Sequence, residues 1–472
     1  MSIPALTPFP AVVIGGGISG LACAYRLQQA GIPAVLLDAG SRFGGVISTR
    51  EVDGFRFELG PQSFLSTEPL LKLIEALGLK DELLRADSRA PRYILLGGKL
   101  VPAPLAPPSL LTTRLLGPRT KWRLLTEIFR RTHPPATDES IASFVRRKFG
   151  DELLDRLVAP FVSGVYAGDP ERLSLRATFP KVHEFEAKYG SVLRGAMKSL
   201  PAKGAPRSEL CSFRDGMETL PRALGARLGD ALQTETTVGE VRRGKTNGKS
   251  WFELDVTYQD YCETVMASAV IVATPAKAAS EILKGVSETF VAPFARIEYA
   301  PVAVVAAGYR RDHVRHAGNG FGFLVPRSEG LHILGTVWNS SLFPGRAPEE
   351  MACFTSFAGG ATDPEFCELS EDEIAETACC EVGRVLGITG KPVTRMVHCH
   401  ARALPQYNLG HSETLSALAA ATSSVPGLFL TGNYLSGPAI GACVEQANQA
   451  ADAARIYLAS IGIGSVGAVA HA

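Results

Sequence analysis

Residues 11–27, AVVIGGGISGLACAYRL, constrain the fold of this chain more than any other stretch. Ala11–Ile14 is a short, continuous apolar run, as expected of a strand buried on both faces of a parallel sheet. Gly15, Gly16, Gly17, Ile18, Ser19 and Gly20 follow, with glycines spaced G-x-G-x-x-G, and Leu21, Ala22, Ala24, Tyr25 and Leu27 continue at helical spacing. A side chain in so tight a turn would hold a phosphate away from the backbone N–H groups, and the helix start adds partial positive charge. A second apolar strand, AVLLD, ends at Asp38, 23 residues after Gly15, with Ala39 next. An acid there can accept both hydroxyls of an unphosphorylated ribose. The glycine pattern alone could serve packing; strand, turn, helix and acid together predict a dinucleotide site.

The rest of the composition narrows the class. At about 100–200 residues per domain, 472 residues give two to four domains and ample core. A formal net charge of +1 argues against a global attraction to nucleic acid. Nine cysteines without a C-x-x-C predict reduced thiols in a cytosol-like compartment, with no zinc site or disulfide framework. His398-Cys399-His400 resembles a metal tract, but neighbours on a strand alternate faces and cannot easily meet one ion, so no metal is assigned. The opening MSIPALTPFP lacks the pattern of a signal peptide, and no apolar run is long enough to span a bilayer. A cytoplasmic location is expected, with attachment to a membrane surface left open.

Further segments resemble those of flavin amine-oxidase-like proteins. SRFGGVIST (41–49) matches the second phosphate-region motif, in which an arginine, here Arg42, faces the cofactor beside Gly45 and Val46. FRFELGPQSF (55–64) resembles the stretch that approaches the flavin from the other side, through Gly60, Pro61, Gln62 and Ser63. ASAVIVATP (267–275) resembles the returning strand of the cofactor domain and supplies Ala273, and Val238 matches by position. GLFLTGN (427–433) ends in Gly432 and Asn433, where many relatives have Gly-Asp; Ala439 and Ile440 then open a helix whose start can face the isoalloxazine. The resemblance implies one non-covalent FAD per chain.

The fold class expected is α/β, α+β overall. A discontinuous Rossmann-like FAD domain (1–89, 212–285 and 410–460) carries a helical insertion (90–211), an antiparallel-sheet substrate domain (286–409) and a tail (461–472). From Arg92 to Arg131 eight Lys/Arg face one acid, Glu127, with Trp122 and Phe129 interleaved. That surface suits either anionic lipid or a solvated helix face. No nucleic-acid motif accompanies it.

From Val12 to about Tyr457 the order of segments resembles the oxygen-dependent protoporphyrinogen oxidases. PRYILLGGKLVPAP (91–104), FVSGVYAGDPERLSLRATFP (161–180), GFGFLVPRSEG (320–330), LGTVWNSSLFPGRAP (334–348) and PQYNLGH (405–411) carry the match. The resemblance implies a porphyrinogen substrate aromatised to a porphyrin in a six-electron oxidation, as three hydride transfers to FAD, each followed by reoxidation with dioxygen to hydrogen peroxide. It assigns Arg92 to a substrate propionate, Leu324, Val337 and Phe357 to the faces of the tetrapyrrole, and Gly164 to close backbone approach. Spacing offers no acid–base pair. Coproporphyrinogen III is the alternative substrate. More distant alternatives are an amine oxidase, whose aromatic cage is missing from YLSGPAIGACVEQ (434–446), and a non-enzymatic escort-type carrier. Partners left open are a lipid surface and ferrochelatase as receiver of the product. Monomer and dimer both stay open.

Overall fold

The computed structural model of the protein describes residues 9–104, 107–199, 208–246 and 249–463. Phe9–Ile14 lies between Ala34–Leu37 and Tyr261–Val272, all parallel, with Val12 in register with both Val35 and Val270. Leu232–Gln233 extends this sheet beyond Ala34–Leu37, and Leu428–Leu430 pairs with Val270–Val272, again in parallel. Thr236–Thr246 and Lys249–Tyr258 add an antiparallel meander. Both faces are apolar because both are covered. Val13 and Leu36 share a core with residues of helices Ile18–Gln29 and Ile440–Ser460, while Val12 and Ile14 share one with helices Ala276–Leu283 and Val291–Ala295.

A second, seven-stranded sheet runs in the order Thr394–Pro405, Tyr299–Arg310, Met351–Gly359, Ile333–Val337, Gly322–Leu324, Arg92–Leu96, Lys99–Pro102. It is antiparallel except where Gly322–Leu324 meets Arg92–Leu96. Helix Glu371–Leu386 covers one face, sharing a core with Val305, Phe354 and Ile333. Two divisions expected from the sequence need correction. Arg92–Pro102 belongs to this sheet's edge rather than to the helical insertion: it is a hairpin paired with Gly322–Leu324, and its consecutive apolar residues Ile94 and Leu95 enter the cores on opposite faces of the sheet. Residue 211 is no boundary either: Leu210–Phe213 is one strand, paired with Phe64–Leu65 and Leu83–Arg85. Most of the expected tail, 464–472, lies outside the described residues.

The insertion is otherwise helical. A turn over residues 113–117 separates helix Pro107–Thr112 from Pro118–Glu127, which Pro118 opens after Gly117, and Ser140 caps Ile141–Lys148 by accepting the Ser143 N–H at 3.1 Å. Helix Ala159–Tyr166 ends at Ala167, whose φ of +47° is left-handed. Charge is buried inside this part. Lys148 Nζ lies 3.2 Å from Glu127 and 3.1 Å from Glu186, all three side chains being at most 3% exposed. Burial opposes the Glu186 charge, but hydrogen bonds from Arg147, Thr132 and Lys148 outweigh it and bring the carboxyl down to about 2. Glu127 also accepts from the N–H groups of Val192 and Leu193, which open helix Val192–Lys198. The one acid of the basic run is therefore internal.

A second buried pair joins the two sheets' domains. Glu58 and Arg346, each with a 1% exposed side chain, approach to 3.3 Å. Arg346 also donates to Ser212 Oγ at 2.6 Å, and Glu58 accepts from the Met217 N–H at 3.0 Å and the Thr49 hydroxyl at 2.7 Å. Burial pushes the Glu58 carboxyl up to about 6, against the pull of Arg346 and these donors. The folded protein holds this proton more tightly than the unfolded chain does. The contribution to stability is thus fully present below about pH 4.5 and is lost as pH rises through about 6.

Glu58→Gln is expected to flatten the pH dependence of urea stability across that window and to cost about 3–5 kcal/mol at pH 7, because Arg346 is left buried without its carboxylate. Retention of the wild-type slope would contradict the assignment. Lys148→Met leaves Glu127 buried without a cation, while Glu186 keeps its pair with Arg147, and is expected to cost about 3–5 kcal/mol, read by thermal or urea unfolding.

Candidate flavin and substrate site

Because the strands of the first sheet's core are parallel, the segments after their carboxyl ends share one edge. Gly15 follows the first strand, Asp38 the second, Ala273 the third and Gly432 the last. Two helices begin at this edge, and neither first turn is capped by a side chain: Ile18–Gln29 after Gly17, and Ile440–Ser460 after the exposed Ala439, with Ile440 itself in the core. Their first N–H groups have no intrahelical partner and suit a pyrophosphate and a reduced flavin ring respectively.

The glycines divide by task. A Cβ on Gly15, at φ +108°, would lie 3.0 Å from the Ala273 carbonyl group, and one on Gly20 only 1.8 Å from Gly15 O. Those two permit close packing of turn, strand and helix. A Cβ on Gly17 would meet nothing within 4 Å, so that position faces the space a phosphate needs. Gly44 N–H donates to Gly16 O at 2.7 Å, which brings the second phosphate-region motif beside the first, and a Cβ on Gly45 would stand 3.2 Å from Gly17. Ile18 and Ser19 lie in the first helical turn and Val46 is exposed at the same rim. The residues present fit a dinucleotide.

Three of the residues expected at the cofactor also make contacts within the protein. Asp38 accepts the N–H of Gly16 at 2.5 Å and that of Gly40 at 2.8 Å, so it also holds the glycine turn, with one lone pair on each oxygen left for a ribose. Arg42 places its guanidinium on the carbonyls of Phe43, Gly45 and Ile47 and so clamps its own loop. Gln62 is buried and spent: it donates to Glu58 O at 3.0 Å and Gly60 O at 2.9 Å, and accepts from Asn339 at 2.6 Å. A Cβ on Gly60 would collide with Val46 O at 1.9 Å, so Gly60–Ser63, with Pro61 and Ser63 half-buried, packs against the glycine loop through its backbone. Val238 is a core residue at a bulge, two positions beyond Thr236, whose N–H donates to Asp38 O at 2.8 Å. Ala39 is exposed beside Asp38, and Asn433 is half-buried in the turn after Gly432.

The residues expected to meet a substrate gather on the face of the second sheet opposite helix Glu371–Leu386. Leu324 is in register with Gly335, Gly335 with Phe357, Phe357 with Val304 and Val304 with His398, one row across five strands. At about 4.8 Å between strands the row spans roughly 19 Å. In the next row Arg92, Gly322 and Val337 are in register on the same face. Leu324, Val337 and Phe357 are half-buried. Helix Ala159–Tyr166 closes one end, where a Cβ on Gly164 would sit 2.4 Å from Leu324 Cδ2; Gly164 thus meets Leu324 first, and the two make one wall. Arg92 is exposed, stacks at 4.9 Å over Phe321, and has no carboxylate partner among the described residues.

At the far end of that row stands the His398-Cys399-His400 tract. His398 and His400 share the row's face while Cys399 lies against the opposite core. Their rings meet edge to face at 4.3 Å, and His400 Nε2–H donates to Leu59 O at 2.7 Å, beside the Gly60 segment. Burial lowers the His400 pKa, so the ring is neutral near pH 7. Strand alternation was the signal available for this pair.

Fold and site define a flavin-dependent oxidoreductase. The chain belongs to the flavin containing amine oxidoreductase family, matched over residues 18–455. It is 36% identical to protoporphyrinogen oxidase 1, chloroplastic, of Spinacia oleracea, over 93% of this chain and 83% of that protein. It is 29% identical to coproporphyrinogen III oxidase of Bacillus subtilis, over 95% of this chain and 98% of that one. Among solved structures, cyclohexylamine oxidase from Brevibacterium oxydans shares the fold with a TM-score of 0.69 at 17% identity, covering 95% of this chain and 99% of that one.

Gly17→Ala should separate folding from cofactor binding: the Cβ enters open space at an ordinary φ of −70°, so the protein folds normally but purifies colourless. Gly20→Ala should lose both, seen as a lower unfolding midpoint together with absent flavin absorbance.

Proposed function

We propose that the protein oxidises protoporphyrinogen IX to protoporphyrin IX, with one non-covalent FAD and dioxygen, releasing hydrogen peroxide. The observation that carries this reading is the half-buried apolar row of Leu324 and Phe357, with Val337 beside it and an unpaired arginine at its rim, in a chain 36% identical to protoporphyrinogen oxidases. Removal of six hydrogens needs three two-electron steps, each reducing one dioxygen to peroxide. Bound FAD supplies the hydride acceptor that dioxygen regenerates. The chain's part is binding and orientation. Leu324, Val337 and Phe357 take the apolar macrocycle out of water, and Arg92, held over Phe321, pairs a propionate and fixes which edge points inward.

An amine oxidase would need aromatic faces beside the flavin. Tyr434, the aromatic of that region, is fully buried against Phe294 instead. Coproporphyrinogen III is the second reading, favoured by the relative of that name at 29% identity. Its two additional propionates would call for cations besides Arg92 around the row.

The outer surface of the insertion adds a location. Trp122 is 65%, Leu125 48% and Phe129 81% exposed among Arg119, Lys121, Arg123 and Arg130, while Glu127 is internal. Such a face suits anionic lipid at the inner side of a membrane, where ferrochelatase could take up the poorly soluble product. Among the described residues no helix is long and apolar enough to cross a bilayer.

Purified, flavin-loaded protein should convert protoporphyrinogen IX aerobically with peroxide release, and coproporphyrinogen III more slowly; the reverse preference would reassign the substrate. Arg92→Ala is expected to raise the protoporphyrinogen KM about tenfold, as for loss of a charge-assisted contact, with kcat nearly unchanged. Trp122→Glu with Phe129→Glu should abolish co-flotation with anionic vesicles and leave turnover intact; unchanged flotation would refute the membrane face.

A further inference from the structure

The segment Pro405–His411, PQYNLGH, joins both halves of the site through main-chain carbonyls. It leaves strand Thr394–Pro405 in fixed register, with Leu404 opposite Ala300 and Pro405 opposite Tyr299. Gln406, Tyr407 and His411 are buried, at 3%, 3% and 6% exposure. Gln406 Nε2 donates to Tyr166 O at 2.9 Å and to Leu404 O at 3.1 Å. Tyr166 is the last residue of the helix that sets Gly164 against Leu324.

The next two side chains point the other way. The Tyr407 hydroxyl donates to Asn433 O, and His411 Nε2–H donates to Tyr434 O at 3.0 Å. Burial lowers the His411 pKa against the pull of that carbonyl, so its ring is neutral and its single N–H is committed to the bond. Asn433 and Tyr434 follow Gly432 in the turn that leads to the uncapped helix Ile440–Ser460. The Tyr407 ring binds the arrangement together, 6.1 Å from the Tyr166 ring and 4.7 Å from His411.

We propose that Pro405–His411 sets the separation between the substrate row and the flavin's reacting end, with Gln406 positioning the substrate helix and Tyr407 and His411 positioning the flavin-facing turn. The assignment rests on the porphyrinogen reading above. These are positioning residues that act through backbone they hold. Transfer between a bound substrate and a bound cofactor depends steeply on their spacing; a 1 Å misplacement can cost about 10²-fold. Anchors at Gln406, Tyr407 and His411, all buried on one heptapeptide, restrict that spacing more than anchors on separate loops would.

The two ends are separable by experiment. Tyr407→Phe keeps both ring contacts and removes only the hydroxyl. With flavin-loaded protein, it should alter the visible circular dichroism of the flavin and slow anaerobic flavin reduction by saturating protoporphyrinogen about tenfold or more, with reoxidation by dioxygen and Tm nearly unchanged. Gln406→Met should leave the flavin spectrum as in wild type and raise the half-saturating porphyrinogen concentration about fivefold. His411→Leu should behave like Tyr407→Phe, and His411→Gln, which keeps an N–H donor, should restore the wild-type spectrum; this pair decides the matter if Tyr407→Phe does not fold. An unchanged flavin spectrum in both Tyr407→Phe and His411→Leu would overturn the proposal, as would equal kinetic losses at both ends that follow the fall in Tm. If wild-type protein oxidises no porphyrinogen, the function fails, while the flavin spectra still test the clamp on the cofactor side.

Discussion

The parallel pairing of Phe9–Ile14 with Tyr261–Val272 is the constraint on which the rest depends. Those strands are separated by the rest of the first cofactor segment, the whole helical insertion and the start of the second segment, yet their register places Gly15 against Ala273 to within the space of a missing Cβ. Once it is set, Leu428–Leu430 can add to the opposite edge of Tyr261–Val272, and Ile440–Ser460 can pack against Ile18–Gln29 in one core. Two uncapped helix starts then meet at one sheet edge, and their unsatisfied N–H groups make that edge a place for negative charge.

Buried ions mark the joints. Glu58–Arg346 couples the strand before the Gly60 segment to the second sheet's domain, and Lys148 with Glu127 and Glu186 knits three helices of the insertion. Such pairs add little net stability compared with apolar packing but are costly to break singly. Their effect is to penalise misplacement: a domain shifted by a few ångströms would leave a charge dry and alone. Gln62 with Asn339 and Tyr407 with Asn433 extend the same logic to neutral groups around the site.

The fold class and the cofactor edge were largely legible because they rest on local rules. An apolar run, a glycine turn, a helix and an acid are each readable within a few residues. Side-chain direction was less legible. Asp38, Arg42 and Gln62 were identified as cofactor-segment residues, but what they touch depends on loops that return from elsewhere: Gly40, the carbonyl of Ile47, and Asn339. The hairpin Arg92–Pro102 was grouped with the helices that follow it because its strand partner, Gly322–Leu324, is remote in sequence.

By itself, then, the sequence determined a parallel core with a glycine turn suited to a dinucleotide, two insertions of different texture and a basic stretch with interleaved aromatics. These follow from periodicity, turn chemistry and charge counts, which act over short stretches. Only the tertiary structure decided that Leu324, Phe357 and His398 form one row, that Glu127 is internal while Trp122 and Phe129 are exposed, and that PQYNLGH reaches both sides of the site. The physical reason is that register and burial are set by pairings between distant segments, and a strand or helix carries on its own no record of the partner it meets.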